Sequence, residues 1–291
     1  MTIISLITPK QTASSIKDSS FNFYNFQSTF SQFYPQNNIP EDSFLEWLIG
    51  FTEGDGSFVI SSRGNLIFVI TQSTKDVEIL EYIQQVLGFG RVIKQGKNTS
   101  RFIVQDYNNL YLIIHLFNGN IIFPSKYDSF ELFLTKFNES SKFTTVNIIP
   151  SFVNSRPSVR PSVSLDNNWL CGFTDAEGCF TCSLLGNSTA YRFRFMLAQQ
   201  HLKNKVVLEE IAMLLKGNVR EHSVKGVYEL TVNGIRNINA VIAYFNNYQL
   251  WTKKEKSYSM WKEVYTDIKE GKHLSSNSRI LVKEKAALIN K

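Results

Sequence analysis

Two stretches of the chain repeat one another with an acid held at the same place. Trp47-Leu-Ile-Gly-Phe-Thr-Glu-Gly-Asp-Gly-Ser-Phe58 is answered by Trp169-Leu-Cys-Gly-Phe-Thr-Asp-Ala-Glu-Gly-Cys-Phe180, at an offset of 177 − 55 = 122 residues. Each copy reads as a helix end with small residues four apart, Gly50 and Gly54 in the first and Gly172 and Ala176 in the second. That spacing lets two helix backbones approach along one face. If the two helices pack together, Asp55 and Glu177 meet at their C-termini, where carbonyls without intrahelical partners already concentrate negative potential. Two carboxylates with the free carbonyls of Gly54 and Ala176 make a hard-oxygen cage suited to Mg²⁺. Gly56 and Gly178 stand where a helix stops. Glu53 and Asp175, two positions earlier, are given helix-end or packing roles. One such stretch would merely cap a helix, and it is the doubling with matched acids that points to chemistry.

The elements that must position these acids follow the same repeat. Within the first half, alternating segments at Ser57–Ser62 and Leu66–Gln72 precede a 3.6-period run at 76–87, two more alternating segments (Arg91–Gln95, Arg101–Gln105) and helices at 108–117 and 127–137. The second half repeats the order. Thr71-Gln72 is matched to Gln199-Gln200 at 200 − 72 = 128, and Lys126 to Lys254 at the same 128, which implies a six-residue insertion in the first hairpin of the second half. The expected fold is α+β, two pseudo-symmetric α-β-β-α-β-β-α halves packed through two central motif helices. The expected boundaries are a loosely ordered extension over 1–42, a first half at 43–138, a linker at 139–166 and a second half at 167–291. The extension is rich in Ser, Asn, Gln and Phe without a period, and contains neither a signal-peptide core nor the Arg of a transit peptide. The linker carries Pro150, Pro157 and Pro161.

Composition narrows the function classes. The chain has 291 residues, 43% hydrophobic and 19% charged, which fits neither disorder nor a membrane protein. Its net charge of +6 favours a polyanionic partner. Three cysteines, Cys171, Cys179 and Cys182, lack zinc or disulfide spacing and point to a reducing compartment. His115, His201, His222 and His273 lack metal spacing too. Abundant Phe, Ile, Asn, Lys and Tyr with scarce Ala is what AT-rich codons produce, so an organellar genome is expected.

The paired motif resembles the signature of the LAGLIDADG homing endonucleases, in their single-chain, two-motif, mitochondrial intron-encoded form, over about residues 43–270. The resemblance implies that the motif helices form the interface between two halves, that each half presents a saddle-shaped antiparallel sheet to DNA, and that Asp55 and Glu177 bind catalytic metals. It also implies active-site roles for Gln72 and Gln200, and a role for Lys126 and Lys254 in supporting the metal and water network. The departures are a motif reading Leu-Ile-Gly-Phe-Thr and unlike acids, one Asp and one Glu. The function implied is a site-specific double-strand break at a long asymmetric target, made by divalent-metal-dependent phosphodiester hydrolysis in intron homing. The alternatives are an RNA-binding intron maturase and a non-catalytic DNA-binding protein on the same fold.

DNA reading should fall to the alternating strands, since period 2 puts one set of side chains on the groove. The outward set is Ser57, Val59, Ser61 and Arg63, then Arg91, Gln95, Arg101 and Gln105, and in the second half Arg192, Arg194, Arg220, His222 and Glu229. Strands of about nine residues at ~3.3 Å cover ~30 Å, so two sheets in line span about 18 base pairs. Unlike strand sets imply an asymmetric site. Mg²⁺ is the expected cofactor, with Mn²⁺ substituting and Ca²⁺ binding without turnover. Double-stranded DNA is the expected partner of a monomer, with intron RNA as an alternative and no membrane.

Overall fold

The computed structural model describes residues 21–140, 160–186 and 188–291; expectations for 1–20 and for 141–159, the body of the linker, lie outside the described residues. The first half runs α1 (Tyr24–Phe33), α2 (Asp42–Asp55), β1 (Gly56–Ile60), β2 (Leu66–Ser73), α3 (Val77–Leu87), β3 (Arg91–Lys94), β4 (Thr99–Val104), α4 (Tyr107–Phe117) and α5 (Pro124–Asn138). The second runs α6 (Trp169–Glu177), β5 (Gly178–Leu184), β6 (Tyr191–Gln200), α7 (Lys205–Leu215), β7 (Asn218–Glu221), β8 (Val227–Asn233), α8 (Ile235–Asn247), α9 (Lys254–Lys269) and α10 (Ser276–Leu288). Each half holds one antiparallel sheet, ordered β1-β2-β4-β3 and β5-β6-β8-β7. The α+β repeat read from the sequence is therefore the architecture.

Alternation builds the sheets. Phe58, Phe68 and Phe102 in one half, and Phe180, Phe193 and Phe195 in the other, are buried toward the helices, while their sequence neighbours face away. Phe58 alone meets Phe68, Phe117, Phe130 and Phe133 at ring-centroid distances of 5.2 to 5.6 Å. Such interleaved aromatic contacts each add stabilisation beyond simple area burial. At the other end of β1 the alternation stops: Ile60 is exposed, and Ser61 sits in a turn where its Oγ accepts the Asn65 amide at 2.9 Å. Ser61 and Arg63 consequently belong to the hairpin turn, not to the strand face expected for them.

Pairing registers correct the repeat. Gly56 pairs with Ile70 and Gly178 with Leu197, so the offset grows from 122 to 197 − 70 = 127 across the first hairpin, an insertion of five residues. The offset becomes 128 only after β6, where the 3-10 turn Leu202–Asn204 matches Thr74–Asp76. The sixth residue is His201, which enters this turn at φ 78°. The glycines after the motif helices end them as expected. Gly56 (φ −92°) and Gly178 (φ −73°) are extended, and their need for hydrogen is spatial, because a Cβ at either would lie 2.4 Å from Cγ2 of Thr52 or Thr174.

The N-terminal segment is more ordered than its composition implied. Phe26 and Phe30 of α1 are fully buried, the Asn22 amide donates to Asn120 Oδ1 at 2.8 Å, and Tyr34 Oη donates to Asn109 Oδ1 at 2.6 Å. Phe23, Phe26 and Phe30 form an i, i+3, i+7 stripe that packs the segment on the α4 side of the first half.

Candidate active site

The motif helices meet where the small residues allow it. A Cβ at Gly50 would lie 2.0 Å from the Trp169 carbonyl oxygen, and one at Gly172 would lie 1.9 Å from that of Trp47. One turn on, a Cβ at Gly54 would lie 2.3 Å from Ala176 Cβ and 3.0 Å from Glu177 Cγ. Backbone thus touches backbone along both helices, and their last residues, Asp55 and Glu177, arrive side by side.

The setting of both acids is half-buried and charged. Burial raises the Asp55 carboxyl above its ordinary range, opposed by a hydrogen bond from Gln72 Nε2 to Oδ2 (2.5 Å) and by the charges of Lys254 and Lys126. Burial and the neighbouring Asp55 charge raise Glu177, opposed by the same two lysines. Lys126 and Lys254 are in turn lowered by burial and partly restored by these carboxylates. Lys126 Nζ donates to the Gly56 carbonyl, while Lys254 Nζ donates to the carbonyls of Thr174 (3.1 Å) and Ala176 (2.7 Å). The Ala176 carbonyl, expected to be a free metal ligand, is therefore engaged by an ammonium. Gly54 and Ala176 also allow the close approach of the helices.

One glutamine is displaced from its expected place. Gln199 Nε2 lies 3.4 Å from Glu177 Oε1, in the position that Gln72 holds beside Asp55. Gln200, one residue further along β6, is exposed on the opposite face of the sheet. The extra residue His201 explains the shift, since the single offset of 128 applied to the strand overshoots by one.

Beneath the site lies a crossed network built on Glu53 and Asp175, the acids expected to have helix-end or packing roles. Glu53 Oε1 accepts the amides of Ile122 (2.7 Å) and Phe123 (2.6 Å), and its Oε2 accepts Trp169 Nε1 from the other motif helix. Asp175 Oδ2 accepts the Trp251 amide (2.8 Å) and Trp47 Nε1 (2.9 Å), and its Oδ1 accepts the Thr252 hydroxyl (2.5 Å). Each acid ties its own half's lysine-bearing helix to the tryptophan of the other half. Burial raises Glu53 to about 7 against its three donors. The signal available in the sequence was the pairing of Trp and acid at the same positions in both motifs.

The residues fit a hard divalent ion. Two carboxylates and backbone carbonyls offer oxygen only, and among the described residues no cluster of three His, Cys, Asp or Glu side chains could hold a metal alone. Mg²⁺ commonly sits on one or two carboxylates and takes its remaining oxygens from water and substrate phosphates.

The outer sheet faces carry most of the expected DNA residues. Ser57 and Val59 are exposed on β1, and Arg91 Nη2 donates to Gln105 Oε1 at 2.9 Å across β3 and β4. Arg101 shares this face, and Gln95 follows β3. Arg192, Arg194, Arg220 and Glu229 line one trough with Asn218, Thr231 and Asn233, and His222 follows β7. The buried Nε atoms of Arg101 and Arg194 have no hydrogen-bond partner. Arg160 pairs with Glu210, whereas Arg156 lies outside the described residues.

Comparison with known proteins agrees with the two-half fold. A sequence profile described as LAGLIDADG endonuclease matches residues 48–136 and 170–265, one match per half. A probable intron-encoded endonuclease 4 of Neurospora crassa is 40% identical over 261 residues, covering 87% of this chain and 45% of its own. The chain thus spans less than half the length of that relative. The fold matches that of the LAGLIDADG homing endonuclease I-GzeII in complex with its DNA target (TM-score 0.69, 22% identity, 85% of this chain and 98% of that one). It also matches I-SmaMI bound to uncleaved DNA in the presence of calcium ions (TM-score 0.69, 20% identity, 85% and 99%). With one profile match over each motif-bearing half, the chain belongs to the LAGLIDADG endonuclease family.

Proposed function

We propose that this chain is an intron-encoded, site-specific DNA endonuclease that makes a double-strand break in a long asymmetric target. The observation that carries the reading is the pair Asp55 and Glu177, brought together by glycine contacts at the junction of two sheets whose outer faces carry arginines. A protein that only bound nucleic acid would gain nothing from two half-buried, mutually repelling carboxylates. Both motifs lie in one chain, so a monomer assembles the whole site. Fungal intron-encoded relatives and the codon-like residue bias support a mitochondrial setting.

Asp55 and Glu177 would hold Mg²⁺ or Mn²⁺, which when bound supplies the charge that activates water and stabilises the leaving 3′ oxygen. Gln72 and Gln199 fix the carboxylate rotamers. Lys126 and Lys254 place positive charge beside the scissile phosphates, where it favours the transition state's extra negative charge. The arginines of both sheets hold the duplex by its phosphates and base edges.

The test is incubation of the protein with a plasmid library of candidate insertion sites in Mg²⁺, Mn²⁺, Ca²⁺ or EDTA, followed by sequencing of new ends. One recurrent break in Mg²⁺ and Mn²⁺, with binding but no cutting in Ca²⁺, is expected. Cleavage in EDTA, or RNA binding with no cut in any metal, would overturn the reading.

A further inference from the structure

The two sheets end differently at their outer hairpins. The β1–β2 turn closes on itself, with the Gly64 amide on the Ser61 carbonyl (2.8 Å) and the Ser61 amide on the Asn65 carbonyl (2.9 Å). The longer β5–β6 hairpin begins with the same kind of bond, from the Leu185 amide to the Ala190 carbonyl (3.0 Å), but also turns its carbonyls toward one side chain of α10. Arg279 Nη2 donates to the carbonyls of Leu185 (2.7 Å), Ser188 (2.7 Å) and Ala190 (3.2 Å). Its Nη1 donates to those of Thr189 (3.4 Å) and His273 (2.9 Å). A planar guanidinium presents its donors as a fixed fork, so it can hold several carbonyls in one arrangement where an ammonium cannot. Helix α10 is anchored independently of this contact, by Lys285 on Asp267 (2.8 Å) and by Asn290 Nδ2 on the Phe180 carbonyl (2.8 Å).

Directly below the clamped loop, Leu184 pairs with Tyr191 and Ser183 with Arg192. Strand β5 is seven residues long, so at ~3.3 Å per residue this end lies ~20 Å from Glu177, or about six base pairs along a duplex. We propose that Arg279 is a positioning residue for target specificity: by clamping the β5–β6 hairpin, it fixes Arg192 and the loop over the outermost base pairs of the second half-site. The inference rests on the endonuclease reading for its DNA but not for the clamp itself. Among the described residues no side chain clamps the carbonyls of the shorter β1–β2 hairpin in this way.

The test uses the full chain and the duplex that wild-type protein itself selects from a randomised library. With Arg279→Gln, discrimination at the outer base pairs of the second half-site should fall roughly tenfold, the scale of one typical mismatch, while central pairs and cleavage rate at saturating DNA stay unchanged. Hydrogen exchange of the 184–191 segment in the free protein should quicken by about tenfold or more. Arg279→Lys should not restore either property. Rescue by Lys, or a uniform loss of affinity across all sequences, would show a phosphate contact and overturn the proposal. Unchanged exchange would overturn it as well. If wild-type protein selects no duplex, the endonuclease reading fails, and the clamp then stands or falls on the exchange result.

Discussion

The two halves of this protein agree at the centre and disagree at the rim. At the centre, Gly50 answers Gly172, Trp47 answers Trp169 and Gln72 answers Gln199 in equivalent places, and Lys126 and Lys254 both reach carbonyls at the motif-helix ends, that of Gly56 and those of Thr174 and Ala176. On the outer faces the correspondence ends. The first sheet carries Val59, Ile67 and Ile93, with Val69 and Ile103 buried beside them, around a few polar groups, whereas the same region of the second presents Arg192, Arg194, Asn218, Arg220, Glu229 and Thr231. Even the contacts between halves show drift: Ser125 meets Asn204 through hydrogen bonds, and at the matching place Lys253 meets Asp76 through a 3.2 Å ion pair. Chemistry on a phosphate needs one geometry, so the centre tolerates little change, while an asymmetric target rewards unlike faces.

The largest effect should come from the shared acids. Asp55→Asn and Glu177→Gln are each expected to slow double-strand cleavage by roughly a thousandfold, the loss of about 4 kcal/mol of metal-dependent stabilisation, with DNA affinity in Ca²⁺ largely kept. A plasmid cleavage assay that separates nicked from linear product checks this. Full cleavage by either variant would break the equivalence of the two centres.

Next come the glycines of the helix contact. Gly50→Ala and Gly172→Ala each drive a methyl into a facing carbonyl, at 2.0 and 1.9 Å, and the obstruction is backbone that cannot rotate away. Each should destabilise the fold by about 3 kcal/mol or more, read by urea unfolding, and by similar amounts in both copies.

The glutamines sharpen the comparison at smaller scale. Gln72→Ala removes a 2.5 Å hydrogen bond to a buried carboxylate and should slow cleavage by about 1.5–3 kcal/mol, with Gln199→Ala, at 3.4 Å, falling below it. Gln200→Ala should leave the cleavage rate alone and alter only DNA affinity or base preference. On the sheets, Arg194→Ala should weaken binding by ~1–3 kcal/mol and reduce the salt dependence, whereas Ile93→Ala should leave the salt dependence unchanged, since an apolar side chain reads a thymine methyl and no phosphate. Affinities measured at several salt concentrations distinguish the two.

The sequence made the centre legible because duplicated chemistry leaves duplicated letters: the motif brings both acids and the small-residue contacts together, and the repeat offset of 128 finds both lysines beside them. It was less legible where geometry depends on counting. Ser61 and Arg63 were carried past the end of β1 because alternation cannot announce the turn that stops it. The helix at Tyr24–Phe33 was hidden because three phenylalanines at helical spacing sit among Ser, Asn and Gln, and bulk composition outweighs a stripe that narrow. Glu53 and Asp175 looked like helix-end acids because their donors, the amides at 122–123 and 251–252, are distant in the chain.

The smallest effect tests the residue that shifted the count. His201 and Ser73 both enter the 3-10 turn that follows the second strand of their half, yet His201 does so at φ 78° and Ser73 at φ −57°. A positive φ of this kind strains a side chain bearing a Cβ by ~1–3 kcal/mol, and glycine removes that strain while giving back part of it as unfolded-chain entropy. The His201 backbone bonds, from its amide to the Gly226 carbonyl (2.8 Å) and from the Asn204 amide to its own carbonyl (3.0 Å), survive the change because they involve no side chain. His201→Gly should therefore stabilise the protein by about 1 kcal/mol or less. Ser73→Gly should act in the opposite sense, because it relieves no strain, adds chain entropy and loses the Oγ that accepts the Lys75 amide at 3.2 Å. Thermal melts of the two variants side by side decide the matter: opposite signs mean that the second half accommodates its extra residue as local strain at His201, and equal destabilisation would place the accommodation elsewhere in the β6–α7 connection.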